Sequence, residues 1–298
     1  MVRRAQLLGI GNATLDIIHL VDSYPNENDE IRCRRRDIRR GGNAANTLVV
    51  LSQLGVSCSW AGALVDNEEG ALIRDDLVSH GVDTGYCRYA EHGSVPVSSI
   101  LVNAGSGSRT IIHYRDMPEY AAQDFESVDL AAFDWLHFEG RNVAETRLML
   151  ERVRRLYPAM QVSIEIEKPR EGIDSLFAYA DVLLFSRVYA RTLGYREPLS
   201  LLHAVQERFP QALLFCAWGD EGAAALDRQG RAFLHEAVVP DVVVDTLGAG
   251  DTFNAGIISA CMDGLDAEAS LALACCLAGK KCGQSGFDNL NPALQDSP

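Results

Sequence analysis

The feature that most constrains this chain is the alternation of strand-like and helix-like stretches through its second half. Residues 135–138 read as a strand and 144–157 as a helix. Residues 161–166 and 182–185 read as strands separated by a helix near Ser175, followed by a helix over 199–209 and a strand over 212–217. Such repeated units bury both faces of a sheet, so the pattern predicts a mostly parallel sheet covered by helices on each side. A hairpin over 223–226 and 232–235 and two helices, 251–262 and 267–282, complete it.

The first half is less regular. Strands are expected over 6–10 and 15–21, and a helix over 43–54 that places Ala44, Leu48, Leu51 and Leu54 on one face with Gly55 as its stop. The highly charged stretch 31–40 is too polar for a core strand and reads as an exposed strand or a solvated arm. A strand over 58–63 and a helix over 69–80 follow, ending at Gly81. Residues 95–102 and 109–114 are β-rich and joined by a Gly/Ser loop, the mark of a hairpin. The expected organisation is one α/β domain over 1–298 with a small β excursion.

Composition excludes several classes. With 41 acidic against 27 basic side chains the net charge is -14, a surface that repels nucleic acid and anionic lipid. No apolar run approaches the ~20 residues of a membrane span. Arg3 and Arg4 precede an apolar stretch, but Gly11, Asn12 and Asp16 interrupt it, so a cytoplasmic location is expected. The eight cysteines form no C-x-x-C framework, and the expectation is free thiols, with Cys275 and Cys276 acting as small buried hydrophobes. The seven histidines show no zinc-ligand spacing.

Chemistry concentrates between a short strand expected at Val242-Val243-Val244 and the helix from Thr252. The connecting segment is Asp245-Thr246-Leu247-Gly248-Ala249-Gly250-Asp251. Its small residues let a ligand approach the backbone, and free N–H groups at a helix N-terminus favour phosphate. Asp251 can be an ordinary first-turn carboxylate that complements the helix dipole, or a base that takes a proton from an attacking hydroxyl. Upstream, Asn43 and Asn46 lie one helical turn apart beyond Gly41-Gly42, and Asp16 lies on the second strand. These side chains can read hydroxyl groups, although Asn43 can equally be a helix N-cap. Gly9-Ile10-Gly11-Asn12-Ala13-Thr14 nearly matches a dinucleotide fingerprint but leads into a strand instead of a helix, and no Walker motif is present.

The segment 245–251 resembles the C-terminal signature of the ribokinase-like (PfkB-type) carbohydrate kinases. Gly41-Gly42-Asn43-Ala44-Ala45-Asn46 resembles that family's N-terminal sugar-binding signature. The resemblance spans essentially the whole chain and is nearest the ketose-phosphorylating members. Glu139-Gly140-Arg141-Asn142, Glu167-Lys168-Pro169-Arg170 and Lys280-Lys281-Cys282-Gly283 contribute to it. It implies a three-layer α/β/α sandwich with a β-sheet lid formed by about 14–40 and 92–118. The implied activity is ATP-dependent phosphorylation of a ketohexose, D-fructose, at its C1 hydroxyl. The alternatives are another sugar or nucleoside kinase, or a non-catalytic sugar-binding relative.

The resemblance also implies roles. Asp251 is the base, assisted by Gly248, Ala249 and Gly250, while Asp16, Gly42, Asn43 and Asn46 hold the ketose with it. Arg109 reaches the phosphates from the lid, and ATP also meets Gly219, Asp220, Glu221, Gly222 and, near the adenine, Cys282. Mg²⁺ accompanies ATP, with Glu139 near it, and a monovalent cation such as K⁺ lies beside Asp245 and Thr246. Two lids interlock to form a homodimer. The chain departs from the family pattern in two places. Ser186-Arg187-Val188-Tyr189 replaces the N-x-x-E motif, and Asn28 stands where an aspartate often faces the partner's sugar site.

Overall fold

Leu7 and Leu8 are neighbours on the first strand, face opposite ways and are both fully buried. A sheet that buries both faces needs a helical layer on each side. The computed structural model, which describes residues 5–291, has this arrangement. Leu7 joins a core with Leu48, Leu184, Phe215, Phe253 and Leu271, and Leu8 joins a second core with Phe138, Leu150, Ile164 and Leu202. Arg3, Arg4 and the extreme ends of the expected 1–298 domain lie outside the described residues.

In chain order the first elements are β1 (Gln6–Ile10), β2 (Thr14–Val21), β3 (Arg35–Gly41), α1 (Asn43–Gln53), β4 (Ser57–Ala61), β5 (Ala63–Val65) and α2 (Glu68–Ser79). Next come β6 (Val82–Asp83), β7 (Arg88–Ala90), β8 (Val97–Asn103), β9 (Arg109–Tyr114), the one-turn α3 (Ala122–Phe125), β10 (Trp135–Glu139) and α4 (Val143–Leu156). Then follow β11 (Gln161–Ile166), β12 (Val182–Ser186), α5 (Arg187–Thr192), α6 (Pro198–Gln206) and β13 (Leu213–Ala217). The chain closes with β14 (Ala223–Leu226), β15 (Ala232–His235), α7 (Ala249–Met262) and α8 (Ala267–Cys282).

Among the described residues the main sheet has nine strands in the order β15-β14-β13-β12-β11-β10-β1-β4-β6. It is parallel from β6 to β13, and the β14–β15 hairpin adds antiparallel strands at one edge. From β1 the chain builds towards β4 on one side and later towards β10 on the other. The carboxyl ends of β1 and β10 therefore open a crevice where ligands bind in such sheets. Gly11, Glu139 and Glu165 emerge there.

A second sheet of four strands, β3-β2-β8-β9, stands apart and matches the expected excursion. Within it β2 and β8 are parallel, and β3 and β9 add antiparallel edges. The charged stretch before Gly41 resolves as edge strand β3, in which Arg35 and Arg36 are exposed while Arg39 is half-buried and Arg40 buried. Every residue of β9 is exposed.

Several expectations are corrected. Val242, Val243 and Val244 form no strand and are more than half exposed. Their β-branched composition suggests one, but the Val244 N–H pairs with the Cys282 carbonyl at the end of α8, not with a sheet edge. The strand expected over 58–63 is interrupted at Gly62, between β4 and β5, where the Trp60 ring occupies the space a Cβ would need. The helix near Ser175 is a 3-10 helix, Ile173–Tyr179. Cys275 is buried as expected, whereas Cys276, the next residue round α8, is exposed.

Candidate active site

Gly248 caps α7 in the left-handed conformation (φ 82°), a shape that favours glycine. The Phe287 ring fills the place of its missing side chain, with a Cβ falling 2.2 Å from Cζ. Gly250, by contrast, faces open space. Of the two, Gly248 builds the turn and Gly250 leaves room for a ligand. Ala249 N–H bonds the Thr246 carbonyl at 3.3 Å, and the next amides belong to the first helical turn, which offers them no intrahelical acceptor.

Asp251 follows in that turn and is buried, 7% exposed. Its Oδ2 accepts from Asn46 Nδ2 at 2.6 Å, so α1 and α7 meet at this hydrogen bond. Burial pushes the Asp251 carboxyl up to about 7, aided by Glu167 and Glu139 and opposed by the Asn46 hydrogen bond and Arg40. A buried carboxylate in a phosphate-binding turn that titrates near neutrality suits a general base. An ordinary dipole-complementing aspartate would be exposed and strongly acidic.

The other expected residues gather beside it in different ways. Asp16 is buried on β2, accepts from Thr14 Oγ1 at 2.8 Å and stands over Gly41, where a Cβ would lie 2.1 Å from Oδ2. Burial raises its carboxyl, with Thr14, Ser98, Arg40 and Arg39 pulling the other way. Asn43 is not the helix cap: Gly42 holds that position without a side-chain cap bond, and Asn43 Nδ2 donates to Glu165 Oε1 at 3.1 Å. Gly42 is glycine because its φ is 104° and a Cβ would meet the Asn12 carbonyl oxygen at 2.3 Å. Its smallness is thus required by the chain packing alone.

Arg109 opens β9, and its Nη1 lies 3.4 Å from both the carbonyl and Oγ1 of Thr246, bringing the lid sheet onto the catalytic segment. Asp245 binds Arg39 Nη1 at 3.0 Å and the buried Lys281 at 3.4 Å, and its Oδ1 accepts from the Leu247 N–H at 2.9 Å. Burial would raise this carboxyl, but Lys281, the Leu247 amide and Arg39 hold it below the ordinary range. A monovalent cation would have to share Asp245 with those two protein cations. Cys282 touches the start of the segment through its carbonyl, which accepts from Val244 and Asp245. The turn Gly219–Glu221 with Gly222 stands at the same end of the sheet, where Arg187 engages Asp220 at 2.8 Å and Glu221 at 3.3 Å. Glu139 turns its oxygens to Asn12 N–H at 2.8 Å and Arg141 Nη1 at 3.4 Å, so both are engaged by the chain itself.

Three further residues belong to the site. Glu165 accepts from Asn43 and, at 3.0 Å, from Asn254 one turn beyond Asp251, while Arg40 donates to Asn46 Oδ1 at 2.5 Å. Burial and then the nearby Asp251 hold the Glu165 carboxyl well above its ordinary value. The available sequence signal was a glutamate between two isoleucines of a predicted buried strand; nothing comparable marked Arg40 within its run of arginines.

An amide-lined helix N-terminus, a buried base beside it and hydroxyl-reading side chains on a facing helix together define a phosphotransferase for a small hydroxyl compound. Residues 4–294 match the pfkB family carbohydrate kinases, and the chain belongs to that family. It is 42% identical to ketohexokinase of Mus musculus, over 96% of this chain and 98% of that one. Identity to ribokinase of Bacillus subtilis is 24%, over 89% and 88% of the two chains. Ribokinase of Arabidopsis thaliana, solved with ribose and ATP, shares the fold with a TM-score of 0.79 at 20% identity, covering 95% of this chain and 94% of that one. Adenosine kinase of Sinorhizobium meliloti likewise superposes with a TM-score of 0.79 at 21% identity and 96% coverage of each chain.

Proposed function

We propose that this chain transfers the γ-phosphoryl group of ATP to the C1 hydroxyl of D-fructose, giving fructose 1-phosphate and ADP. The observation that carries the reading is the buried Asp251 carboxylate, bonded to Asn46 and set in the amide-lined first turn of α7. The extended identity to a ketohexokinase supports the ketose over the ribose or nucleoside alternatives.

In this reading Asp16, Asn43 and Asn46 orient the sugar, and the ionised Asp251 accepts the C1 hydroxyl proton as that oxygen attacks the γ-phosphorus. The bond to the β–γ bridging oxygen breaks, leaving ADP. Amides of Gly250 and Asp251 meet the phosphoryl oxygens, and Arg109 adds a directional cation from the lid. Mg²⁺ carried in with the nucleotide would neutralise triphosphate charge. Among the described residues no group of three or more His, Cys, Asp or Glu side chains is placed to hold a metal.

The lid sheet supports a homodimer. Ile38, Ile111, Ile112 and Tyr114 are exposed on its two edge strands, an apolar set that a second copy would cover. No helix among the described residues is long and apolar enough to cross a membrane.

The test is ADP release with fructose, tagatose, ribose and adenosine, and the phosphorylated carbon of the product located by NMR. Fructose is expected to be used best and phosphorylated at C1. The Asp251→Asn variant is expected to lose about 10²–10⁴-fold in turnover while still binding nucleotide. Preference for ribose or adenosine, or full activity of the variant, would overturn the reading.

A further inference from the structure

The side-chain amide of Asn46 is held at both ends, and its partners fix which way round it stands. Arg40 Nη1 lies 2.5 Å from one terminal atom. A guanidinium can only donate, so that atom is the carbonyl oxygen. The amide hydrogens are therefore turned to Asp251, with Nδ2 2.6 Å from Oδ2. Arg40 is itself pinned. Its Nε lies 2.5 Å from Asp76 Oδ2, its carbon Cζ sits 5.7 Å above the Phe287 ring centre, and its side chain is 2% exposed. A continuous hydrogen-bonded line thus runs from Asp76 on α2, through Arg40 near the end of β3 and Asn46 on α1, to Asp251 on α7.

We propose that Arg40, steadied by Asp76, is a positioning residue for the base: it fixes the Asn46 amide so that its hydrogens face the Asp251 carboxylate. The inference rests on the reading of Asp251 as that base. An Asn46 freed from Arg40 can rotate and offer its oxygen to Asp251. Two acceptors then oppose each other unless the carboxyl takes up a proton. Losing Arg40 therefore leaves less ionised base at a given pH. The surroundings sharpen this dependence, because Glu165 from β11, Glu167 just beyond it and Glu139 from β10 all disfavour ionisation of the cluster. The Asn46 hydrogens and the Arg40 charge are what oppose them.

The experiment follows the Asp251 carboxyl by ¹³C NMR titration and, in parallel, the acid limb of the pH–rate profile for ADP release. Arg40→Met is expected to raise the Asp251 pKa by about one unit, a tenfold loss of ionised base below neutrality. In an Asn46→Leu background the same substitution should shift it by less than half as much, since the route through the amide is already gone. Asp76→Ala removes a negative charge, so a field effect alone would lower the Asp251 pKa, whereas loosening Arg40 raises it. Asp76 is 32% exposed on α2, so this variant carries the test should Arg40→Met not fold. A rise in Asp76→Ala supports the inference. A fall or no change there, or an equal Arg40→Met shift with and without the Asn46 amide, overturns it. The titration needs no turnover, so a chain inactive on every sugar would sink the kinase reading without deciding this one.

Discussion

Asn43 Nδ2 lies 3.1 Å from Glu165 Oε1, and the same oxygen takes a second hydrogen bond from Asn254 Nδ2 at 3.0 Å. One carboxyl oxygen on β11 thus ties the first turn of α1 to the second turn of α7, while Oε2 is buried without a partner. Burial and Asp251 favour the protonated form of Glu165, for which glutamine is a close mimic. Glu165→Gln should keep turnover and sugar KM close to the parent values. Glu165→Ala leaves the buried Asn254 amide and the half-buried Asn43 amide without this acceptor and should raise the sugar KM by about tenfold or more, with the ATP KM little changed. Steady-state ADP release reads both, and equal losses in the two variants would remove Glu165 from this role.

Gly248 and Gly250 should respond differently to alanine. At Gly248 the new methyl meets Phe287 at 2.2 Å in a left-handed backbone, so Gly248→Ala is expected to destabilise by about 1–3 kcal/mol and to abolish most turnover. Adding Phe287→Leu makes room and should restore part of the lost stability. Gly250→Ala enters open space and should leave unfolding by urea nearly unchanged while weakening ATP. Equal unfolding midpoints for the two single variants would contradict the packing described.

These residues also show what was legible beforehand. The alternation after Trp135 dictated the layered sheet, because period-2 and period-3.6 burial are local properties of sequence. The glycine-rich turn and Asp251 were equally plain, since few other settings need that combination. The packing that makes position 42 a glycine was not legible, because its neighbour in space is the Asn12 backbone, from a loop far away in sequence. Glu165 and Arg40 went unnoticed because their meaning lies in partners 122 and 6 residues away, joined only once β11, β3 and α1 converge. The valines at 242–244 misled in the opposite sense, strand-forming in composition but bonded at Val244 to the end of α8.

The Asp251 carboxyl moves from an ordinary 3.8 to about 7 in the fold, and burial is the main cause. A raised folded pKa means the protonated form is the one the fold prefers. Its stabilising contribution is full below about pH 4 and disappears as pH rises through about 7. Glu165 shifts in the same direction and strengthens the trend. The ligand-free protein should therefore show a melting temperature that declines between about pH 4 and 7, and Asp251→Asn should flatten much of that decline. Turnover runs the other way, since the base must be ionised, and should drop about tenfold per unit below about pH 7. Calorimetry and a pH–rate profile measure the two, and slopes of the same sign would contradict the assignment.

Arg109 is the residue through which the lid meets the catalytic segment, with Nη1 3.4 Å from both oxygens of Thr246. Those contacts are long and β9 is exposed, so Arg109 contributes little to the stability of the ligand-free chain. Its guanidinium gains strength only when phosphoryl oxygens supply a charged acceptor beside it. Arg109→Ala should leave the melting temperature unchanged and reduce kcat by about 10–10²-fold, because the lost interaction is greatest when charge develops on the transferring group. Arg109→Lys keeps the charge but not the planar fork and should recover only part of the rate. If Arg109→Ala raises the sugar KM and leaves kcat intact, the lid arginine serves sugar enclosure and not phosphoryl transfer.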